Sequence, residues 1–260
     1  MDIQIFSDMH LEFLESFPMI ERKCRYLILA GDIGRMCNKN YREFIDYCSY
    51  TWEQTIVILG NHEFYHNMKT YNRLLKEYIY FFSQFDNVTL LEKEKIMLED
   101  WEIIGLTMWG YIRPVHENML NSSKHIKKHI IKDNIVIKSP IGNDGINKLY
   151  GKSLEWLLNN YDSNKKTIII THYPLTHDNI SMTEYENQSR EIRDAFATNM
   201  IFRNNAPLIC ISGHTHLSYD FIKNNVRYIS NQMGYQKEFI AGKTKFDPDS
   251  VYTILTHNNT

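Results

Sequence analysis

Residues 56–64 read IVILGNHEF, an apolar run that predicts a buried strand and ends in a polar turn. Gly60 permits a tight turn at this point. Asn61 offers an amide oxygen that can serve as a neutral ligand, and the adjacent His62 points elsewhere and is free to act on a substrate. Open α/β sheets place their sites at the ends of strands, so this stretch predicts both a strand and a site at its end.

Four other stretches combine a short apolar run with a polar turn. The predicted strands cover residues 3–6, 26–30, 167–171 and 208–212, and the turns after them read SDMH, GDIG, THYP and GHTH. Between them, apolar spacing near 3.6 predicts helices over residues 41–52, 69–84, 147–161 and 186–203. Strands and helices alternate, which indicates an α/β layered fold with the sheets inside.

Further short strands are predicted over residues 88–91, 96–98, 102–106 and 251–255, with a hairpin over 219–229 that turns at Asn224-Asn225. We expect these strands to form a second sheet packed on the first. Residues 110–145 are less regular and carry a basic cluster. We interpret them as a partly helical insert near the site, within a single domain that spans residues 1–260.

Composition and charge exclude several classes of protein. The chain has 260 residues, 43% hydrophobic and 23% charged, which is typical of a soluble globular protein. Its formal net charge of −2 gives no overall case for long nucleic acid or a membrane surface. We expect no signal peptide and no membrane span, since the first residues lack a basic and then apolar pattern and no apolar run approaches about 18 residues, and the four cysteines form no C-x-x-C pair. These features predict reduced thiols and a cytoplasmic location.

The turns contain the residue types that bind divalent metals. Asp8 and His10 are two residues apart, and in an extended segment such residues point the same way, so both could reach one ion. Asp32 offers two oxygens and could bridge two cations. His172, His214 and His216 follow the last two predicted strands. Each motif taken alone also fits an ordinary loop, and the signal lies in their combination.

The order D-x-H, G-D, G-N-H-E, H, G-H-x-H over residues 8–216 resembles the calcineurin-like metallophosphoesterase superfamily. GLTMWG, KSLEWL and SGHTHLSYDF are similar to a bacterial-type single-domain subgroup. The resemblance implies a four-layer α/β/β/α sandwich of two mixed β-sheets flanked by helices. Two departures stand out. Tyr173 occupies a position where that subgroup often has a second histidine, and GDIGRM lacks the G-D-x-x-D-R-G motif of phosphoprotein phosphatases.

The resemblance also implies a site. Two divalent ions would bind to Asp8, His10, Asp32 and His216, and to Asp32, Asn61, His172 and His214, with Asp32 as the bridge. Mixed nitrogen and oxygen ligands favour Mn²⁺, with Fe, Zn²⁺ or Mg²⁺ as alternatives. Asp32 and His62 would be the catalytic residues. Glu63 fits two interpretations, a carboxylate that orients a neighbour or an ordinary helix-start residue.

The implied function is a metal-dependent phosphoesterase that cleaves phosphodiester or phosphomonoester bonds of a small substrate, including nucleotides, with a dimetal-activated hydroxide. A nuclease, a cyclic nucleotide phosphodiesterase and a catalytically inactive binding module are the alternatives. No membrane partner is expected, and the sequence leaves the oligomeric state open. Arg113, Lys127, Lys128 and Tyr235 are candidate substrate contacts, although the basic residues also fit a solvated face.

Overall fold

The computed structural model describes residues 1–65, 69–113, 143–180 and 193–255. The strands are β1 (Asp2–Phe6), β2 (Tyr26–Ala30), β3 (Gln54–Ile58), β4 (Val88–Leu90), β5 (Glu94–Leu98), β6 (Trp101–Leu106), β7 (Thr167–Thr171), β8 (Leu208–Ile211), β9 (Tyr219–Lys223), β10 (Val226–Ser230) and β11 (Tyr252–Thr253). The α-helices are α1 (Lys39–Thr51), α2 (Tyr71–Phe82), α3 (Asn143–Asn160) and α4 (Gln236–Ile240). Two 3-10 turns cover Leu11–Phe13 and His62–Phe64.

Two mixed sheets form the centre of the molecule. The first has the order β11-β1-β2-β3-β4 and the second has the order β5-β6-β7-β8-β10-β9. β1, β2 and β3 run parallel in the first sheet, as do β6, β7, β8 and β10 in the second. The carboxyl ends of neighbouring parallel strands meet at one edge of a sheet, so the loops after β1, β2 and β3 are brought together.

Alternation of side chains along the strands explains the layers. Ile3 and Ile5 of β1 pack between the sheets with Ile168 and Ile170 of β7. The intervening Ile169 faces outward, against a cluster that includes Leu157 of α3. Leu27, Leu29 and Val57 face α1 and α2 on the other side. Strands covered on both faces read as continuous apolar runs, as they do here. The predicted four-layer α/β/β/α sandwich is confirmed.

The predicted division of strands between the two sheets is wrong for four strands, β4, β11, β7 and β8. β4 pairs with β3, and β11 pairs with β1, so both are edge strands of the first sheet. β7 and β8 lie instead in the middle of the second sheet, where their fully apolar sequences are covered on both faces. The predicted hairpin is confirmed, and Asn224 and Asn225 have φ of 50° and 61°, as a tight type I′ turn requires.

In its described part, the predicted helix over residues 186–203 is confirmed at residues 193–194 and wrong from residue 197 onward. Residues 197–204 form no helix. Their backbone groups bond elsewhere: Thr198 N–H donates to the carbonyl of Pro174, and Met200 N–H donates to that of Leu175. Lys127, Lys128 and most of the predicted insert lie outside the described residues, and residues 143–145 form the start of α3.

Within the described part of the chain, no helix is both long enough and apolar enough to span a bilayer.

Candidate metal centre

Polar side chains from both sheets converge beyond the carboxyl ends of β1, β2, β3, β7 and β8. Among the described residues, three groups place their ligand atoms within 4.8 Å of one another, close enough to hold metal ions. These groups are Asp8, His10 and His216; His10, Asp32 and His62; and Asp32, His172 and His214. Because His10 and Asp32 each belong to two groups, the three form one continuous cluster.

The loops that carry these residues have an unusual backbone. Left-handed φ values occur at Asp8 (54°), His10 (48°), Asp32 (53°), His214 (74°) and His216 (56°). The segment after β1 is therefore not extended, and the predicted reason for Asp8 and His10 to point the same way is wrong. Non-glycine residues adopt this conformation at a cost of about 1 kcal/mol or more each. Such strain, gathered at one place, is typical of functional sites.

The first group is held by contacts between the loops after β1 and β8. His10 Nε2 lies 3.0 Å from His216 Nε2, and His216 Nε2 lies 3.5 Å from Asp8 Oδ1. The Asp8 carboxylate also accepts the backbone N–H of His214, at 3.0 Å from each oxygen. Two imidazole nitrogens and a carboxylate oxygen therefore face a common point, a donor set suited to Mn²⁺, Fe or Zn²⁺.

The group of Asp32, His172 and His214 is centred on Asp32 and also includes Asn61 as a neighbour. His172 Nε2 lies 3.4 Å from Asp32 Oδ2 and 3.0 Å from Asn61 Oδ1. Asn61 is held in this orientation because its amide nitrogen donates to the Tyr65 hydroxyl at 2.7 Å. His214 completes the group. The structure thus brings together all seven residues that the sequence predicts as metal ligands.

Hydrogen bonds at the far ring nitrogens orient two of the histidines. His172 Nδ1 donates to the carbonyl of Ala30 at 3.0 Å, and this turns Nε2 toward the cluster, where a metal ion would replace its proton. His216 Nδ1 lies 2.7 Å from Glu238 Oε2, and its backbone N–H donates to Gln232. Ligating histidines usually have such partners, which fix the ring and raise its basicity.

His62 lies between the groups and is held on several sides. Its Nδ1 is 2.8 Å from Glu12 Oε1, and its Nε2 is 3.9 Å from Asp32 Oδ2. Tyr235 places its hydroxyl 3.4 Å from the same Nε2, while its ring stacks on His10 at 4.5 Å between centroids. The carboxylate of Glu12 thus turns Nε2 of His62 toward the cluster.

The Asp32 carboxylate at the centre of the cluster favours a positively charged neighbour. Burial alone would raise the pKa of Asp32, but the neighbouring His172 and His62 outweigh it and hold that pKa well below its usual value. Burial likewise opposes charge on His172, yet the Asp32 carboxylate raises its pKa to about 10. A proton on His172 therefore balances Asp32 in the protein alone. A divalent cation would supply the same balance, so the residues fit a metal centre.

Glycines in the motifs leave room for the carboxylates. A Cβ at Gly60 would lie 2.2 Å from Asp32 Oδ1 and 2.6 Å from the Asp32 backbone nitrogen, and a Cβ at Gly213 would lie 2.6 Å from Asp8 Oδ2. The backbone contact at Gly60 cannot be relieved by side-chain rotation, and at Gly213 the Asp8 carboxylate is held in place by the backbone N–H of His214. The glycines of G-N-H-E and G-H-x-H are therefore explained by the close approach of the two aspartates.

Gly60→Ala should destabilise the protein by about 1–3 kcal/mol and reduce its metal content, because the added methyl displaces Asp32. Thermal denaturation and elemental analysis measure both effects. Gly151→Ala is the matched control, since a Cβ there meets nothing within 4 Å and lies in α3, where alanine is the better helix former. An unchanged melting temperature in Gly60→Ala would contradict this account of the motif.

Glu63 is buried, and its hydrogen bonds favour the interpretation as a carboxylate that orients a neighbour over that as an ordinary helix-start residue. Its Oε1 accepts the backbone N–H groups of Ile33 and Gly34, at 2.9 and 3.2 Å. Its Oε2 accepts those of Asp32 and Gly60, at 3.0 and 2.7 Å. The carboxylate therefore ties the loop after β2 to the loop after β3, and it orients the loop that carries Asp32.

Glu63→Gln should lower the free energy of unfolding by on the order of 3 kcal/mol, because either orientation of the amide turns an N–H₂ toward two backbone donors. Denaturant unfolding measures the change. Glu155→Gln, at an exposed position on α3, is the control and should change stability by less than about 0.5 kcal/mol. Equal stability of the two variants would refute the role given to Glu63.

The remaining predicted residues fall in different places. Tyr235 lies at the cluster, as described above. Arg113 forms an ion pair with Asp194, with its Nε 2.8 Å from Oδ2. Tyr173, in place of the second histidine of the related subgroup, is buried and packs on His214 with 3.9 Å between ring centroids.

Several functional residues were not predicted from the sequence. Glu12 and Glu238 bind the far nitrogens of His62 and His216, and the Ala30 carbonyl does the same for His172. Glu12 lies two residues after the D-x-H motif, so its proximity along the chain was an available signal. Glu238 lies 22 residues from its partner, and nothing in its surrounding sequence marks it.

Comparison with known proteins gives matches that cover most of the chain, of which three are described. A family model described as Calcineurin-like phosphoesterase matches residues 1–218. "Uncharacterized protein L509" of Acanthamoeba polyphaga mimivirus is 30% identical over 274 residues, covering 95% of this chain and 94% of that protein. The crystal structure of phosphopantetheinyl hydrolase (PptH) from Mycobacterium tuberculosis has a TM-score of 0.63 at 16% identity, covering 93% and 92% of the two chains. At that identity the likeness shows a shared fold.

Proposed function

Because this chain belongs to the calcineurin-like phosphoesterase family, we propose that it is a dinuclear metal-dependent hydrolase of phosphoesters. One observation carries this proposal: seven side chains with metal-binding atoms meet at the ends of five strands, next to a histidine oriented by a carboxylate. A fold alone can host many functions, and a filled set of ligand positions argues for catalysis over a binding module.

The residues would divide between two ions as the family resemblance implies. One ion would be held by Asp8, His10, Asp32 and His216, and the other by Asp32, Asn61, His172 and His214. When bound, such a pair of ions activates a water molecule and neutralises charge on the phosphoryl oxygens. Mn²⁺ is our first choice of metal, because imidazole, carboxylate and amide ligands are mixed and no thiolate takes part.

The chain's own residues would position the ester and move protons. Nε2 of His62 would donate a proton to the leaving oxygen, and Glu12 would keep the ring in the required orientation from its other side. Tyr235 would contact the phosphate or the leaving group, since its hydroxyl lies 3.4 Å from the same nitrogen. Asp32 would remain ionised throughout, consistent with its lowered pKa.

We propose a small phosphorylated substrate, including nucleotides, and a cytoplasmic location. The formal net charge of −2 argues against long nucleic acid, whose binding requires many phosphate contacts from lysine and arginine. A cyclic nucleotide or another small diester would fit the same chemistry.

The test is to purify the chain without chelator, measure its metal content, and assay bis(p-nitrophenyl) phosphate beside p-nitrophenyl phosphate with added Mn²⁺. We expect about two metal ions per chain and diester cleavage. Monoester preference with the same metal content would keep the mechanism and redirect the search for the substrate. A chain that binds no metal and turns over neither compound after reconstitution would overturn the proposal.

A further inference from the structure

A second feature lies beside the metal centre: a cleft of about 670 Å³ between α2 and the loop that leads from β2 into α1. We call it the α1–α2 cleft. Its volume lies within the range of small-molecule sites. The residues that matter here are Arg35, Arg42, Tyr65, Lys76, Tyr80 and Phe81. None of these residues is a predicted metal ligand, and the role of the cleft is not explained by the metal centre.

The lining is positively charged although the chain as a whole is not. Five basic side chains line the α1–α2 cleft, against two acidic ones. Of the acidic pair, Glu63 is buried and bound to backbone N–H groups, and Glu77 is shared between two of the cations, Lys69 and Arg73. Arg42 and Lys76 are both exposed and form no ion pair with a described residue. The cleft therefore offers uncompensated positive charge to an anionic ligand.

The same cleft presents aromatic rings. Tyr80 is 72% exposed on α2, an unusual position for so large a side chain, and the half-buried Phe81 follows it. Tyr65 also lines the cleft, with its ring buried against His62. Nucleobases stack on aromatic side chains with little dependence on sequence, and cations beside them bind phosphates. A lining that combines both kinds of side chain therefore suits a ligand with a flat ring and a phosphate.

Two residues that line the cleft, Arg35 and Tyr65, also lie against Glu12 and His62. The buried Nε of Arg35 lies 3.8 Å from Glu12 Oε1 and makes no hydrogen bond with a described residue. The same Glu12 oxygen lies 2.8 Å from His62 Nδ1. The Tyr65 ring packs on the His62 ring with 4.4 Å between centroids. The cleft therefore neighbours the metal centre, with Arg35 and Tyr65 between the two.

We propose that the α1–α2 cleft binds the nucleotide part of the substrate, with its rings against the base and its basic side chains on a phosphate other than the one that is cleaved. This inference rests on the proposed function. It narrows the substrate class to nucleotides that carry a second phosphate. The cleaved bond is the ester P–O bond, water supplies the new oxygen, and the proton goes to the leaving oxygen.

Three substrates with one leaving group test the proposal: bis(p-nitrophenyl) phosphate, thymidine 5′-(p-nitrophenyl phosphate), and the latter compound with a 3′-phosphate. In the wild type we expect kcat/KM to rise along this series, by about tenfold at the last step. The double variant Arg42→Glu, Lys76→Glu should lose that last gain, mainly through KM. The control Lys39→Glu, Lys152→Glu makes the same charge change at exposed positions outside the cleft and should keep it.

No gain from the 3′-phosphate, or a gain that persists in the Arg42 and Lys76 variant, would overturn the proposal. Calorimetry of thymidine 3′,5′-bisphosphate with the metal-free protein separates this result from a failure of the proposed function. Binding that is lost in the cleft variant and kept in the control would support the cleft even in a chain that cleaves none of the three esters. Binding that is absent, or equal in both variants, would refute it.

Discussion

Asp32→Asn should abolish turnover and remove at least one metal ion. Asp32 belongs to two of the three ligand groups, and its Oδ1 also accepts the His62 backbone N–H at 2.8 Å. Asparagine is nearly isosteric but carries no charge and presents one oxygen in place of two. We expect kcat/KM to fall by roughly 10³-fold or more, because charge stabilisation at the reacting phosphorus depends on both ions.

Elemental analysis and steady-state kinetics on bis(p-nitrophenyl) phosphate measure the two effects of Asp32→Asn. Asp46→Asn, at an exposed position on α1, makes the same chemical change away from the site and serves as the control. If Asp32→Asn retained the wild-type metal content and lost less than about tenfold in rate, Asp32 would not be the bridging ligand.

His62→Ala should lose about 10²–10⁴-fold in kcat and keep both metal ions, because general acid catalysis has this magnitude. The loss should be larger for an alkyl ester than for a p-nitrophenyl ester, since an alkoxide needs a proton and a nitrophenolate does not. Rates on the two kinds of ester, with metal analysis of the same preparations, measure this difference.

A companion variant tests how His62 is oriented. Glu12→Gln keeps the shape of the side chain that lies 2.8 Å from His62 Nδ1 and removes its charge, so it should cause a smaller loss with the same dependence on the leaving group. His62 also lies in a possible ligand group with His10 and Asp32. Loss of metal from His62→Ala would therefore assign it as a ligand and remove it from acid catalysis.

Much of the fold could be predicted because the relevant signals are local. The apolar runs of β1, β2, β7 and β8 are short, continuous and bounded by polar turns, and the Asn-Asn turn marks the hairpin between β9 and β10. The neighbours of each strand were predicted less well. An apolar run indicates that both faces of a strand are buried, but it does not indicate to which of the two sheets the strand belongs. The sequence therefore did not separate β7 and β8 from β1, β2 and β3.

In the candidate site too, residues in local motifs could be predicted and residues that act through long-range contacts could not. Residues such as His214 and His216 belong to short motifs and could be identified from spacing and order. Glu238, Tyr65 and the Ala30 carbonyl act through contacts made only after folding, and a backbone carbonyl carries no sequence signal at all. The helix predicted over residues 186–203 does not continue beyond residue 197, because the next backbone N–H groups, those of Thr198 and Met200, donate to the carbonyls of Pro174 and Leu175.

The left-handed backbone at five ligand positions means that the site is built at a cost in folding stability. These positions are Asp8, His10, Asp32, His214 and His216. Glycine at any of these positions would relieve the local conformation and also discard a ligand. At Asp8 and Asp32 it would also leave the backbone N–H groups of His214 and His62 without their acceptors, so the strained backbone is held in place by the same side chains that form the site. On the proposed function, binding of metal ions would offset this conformational cost, and the metal-free protein should melt at a lower temperature than the metal-loaded one.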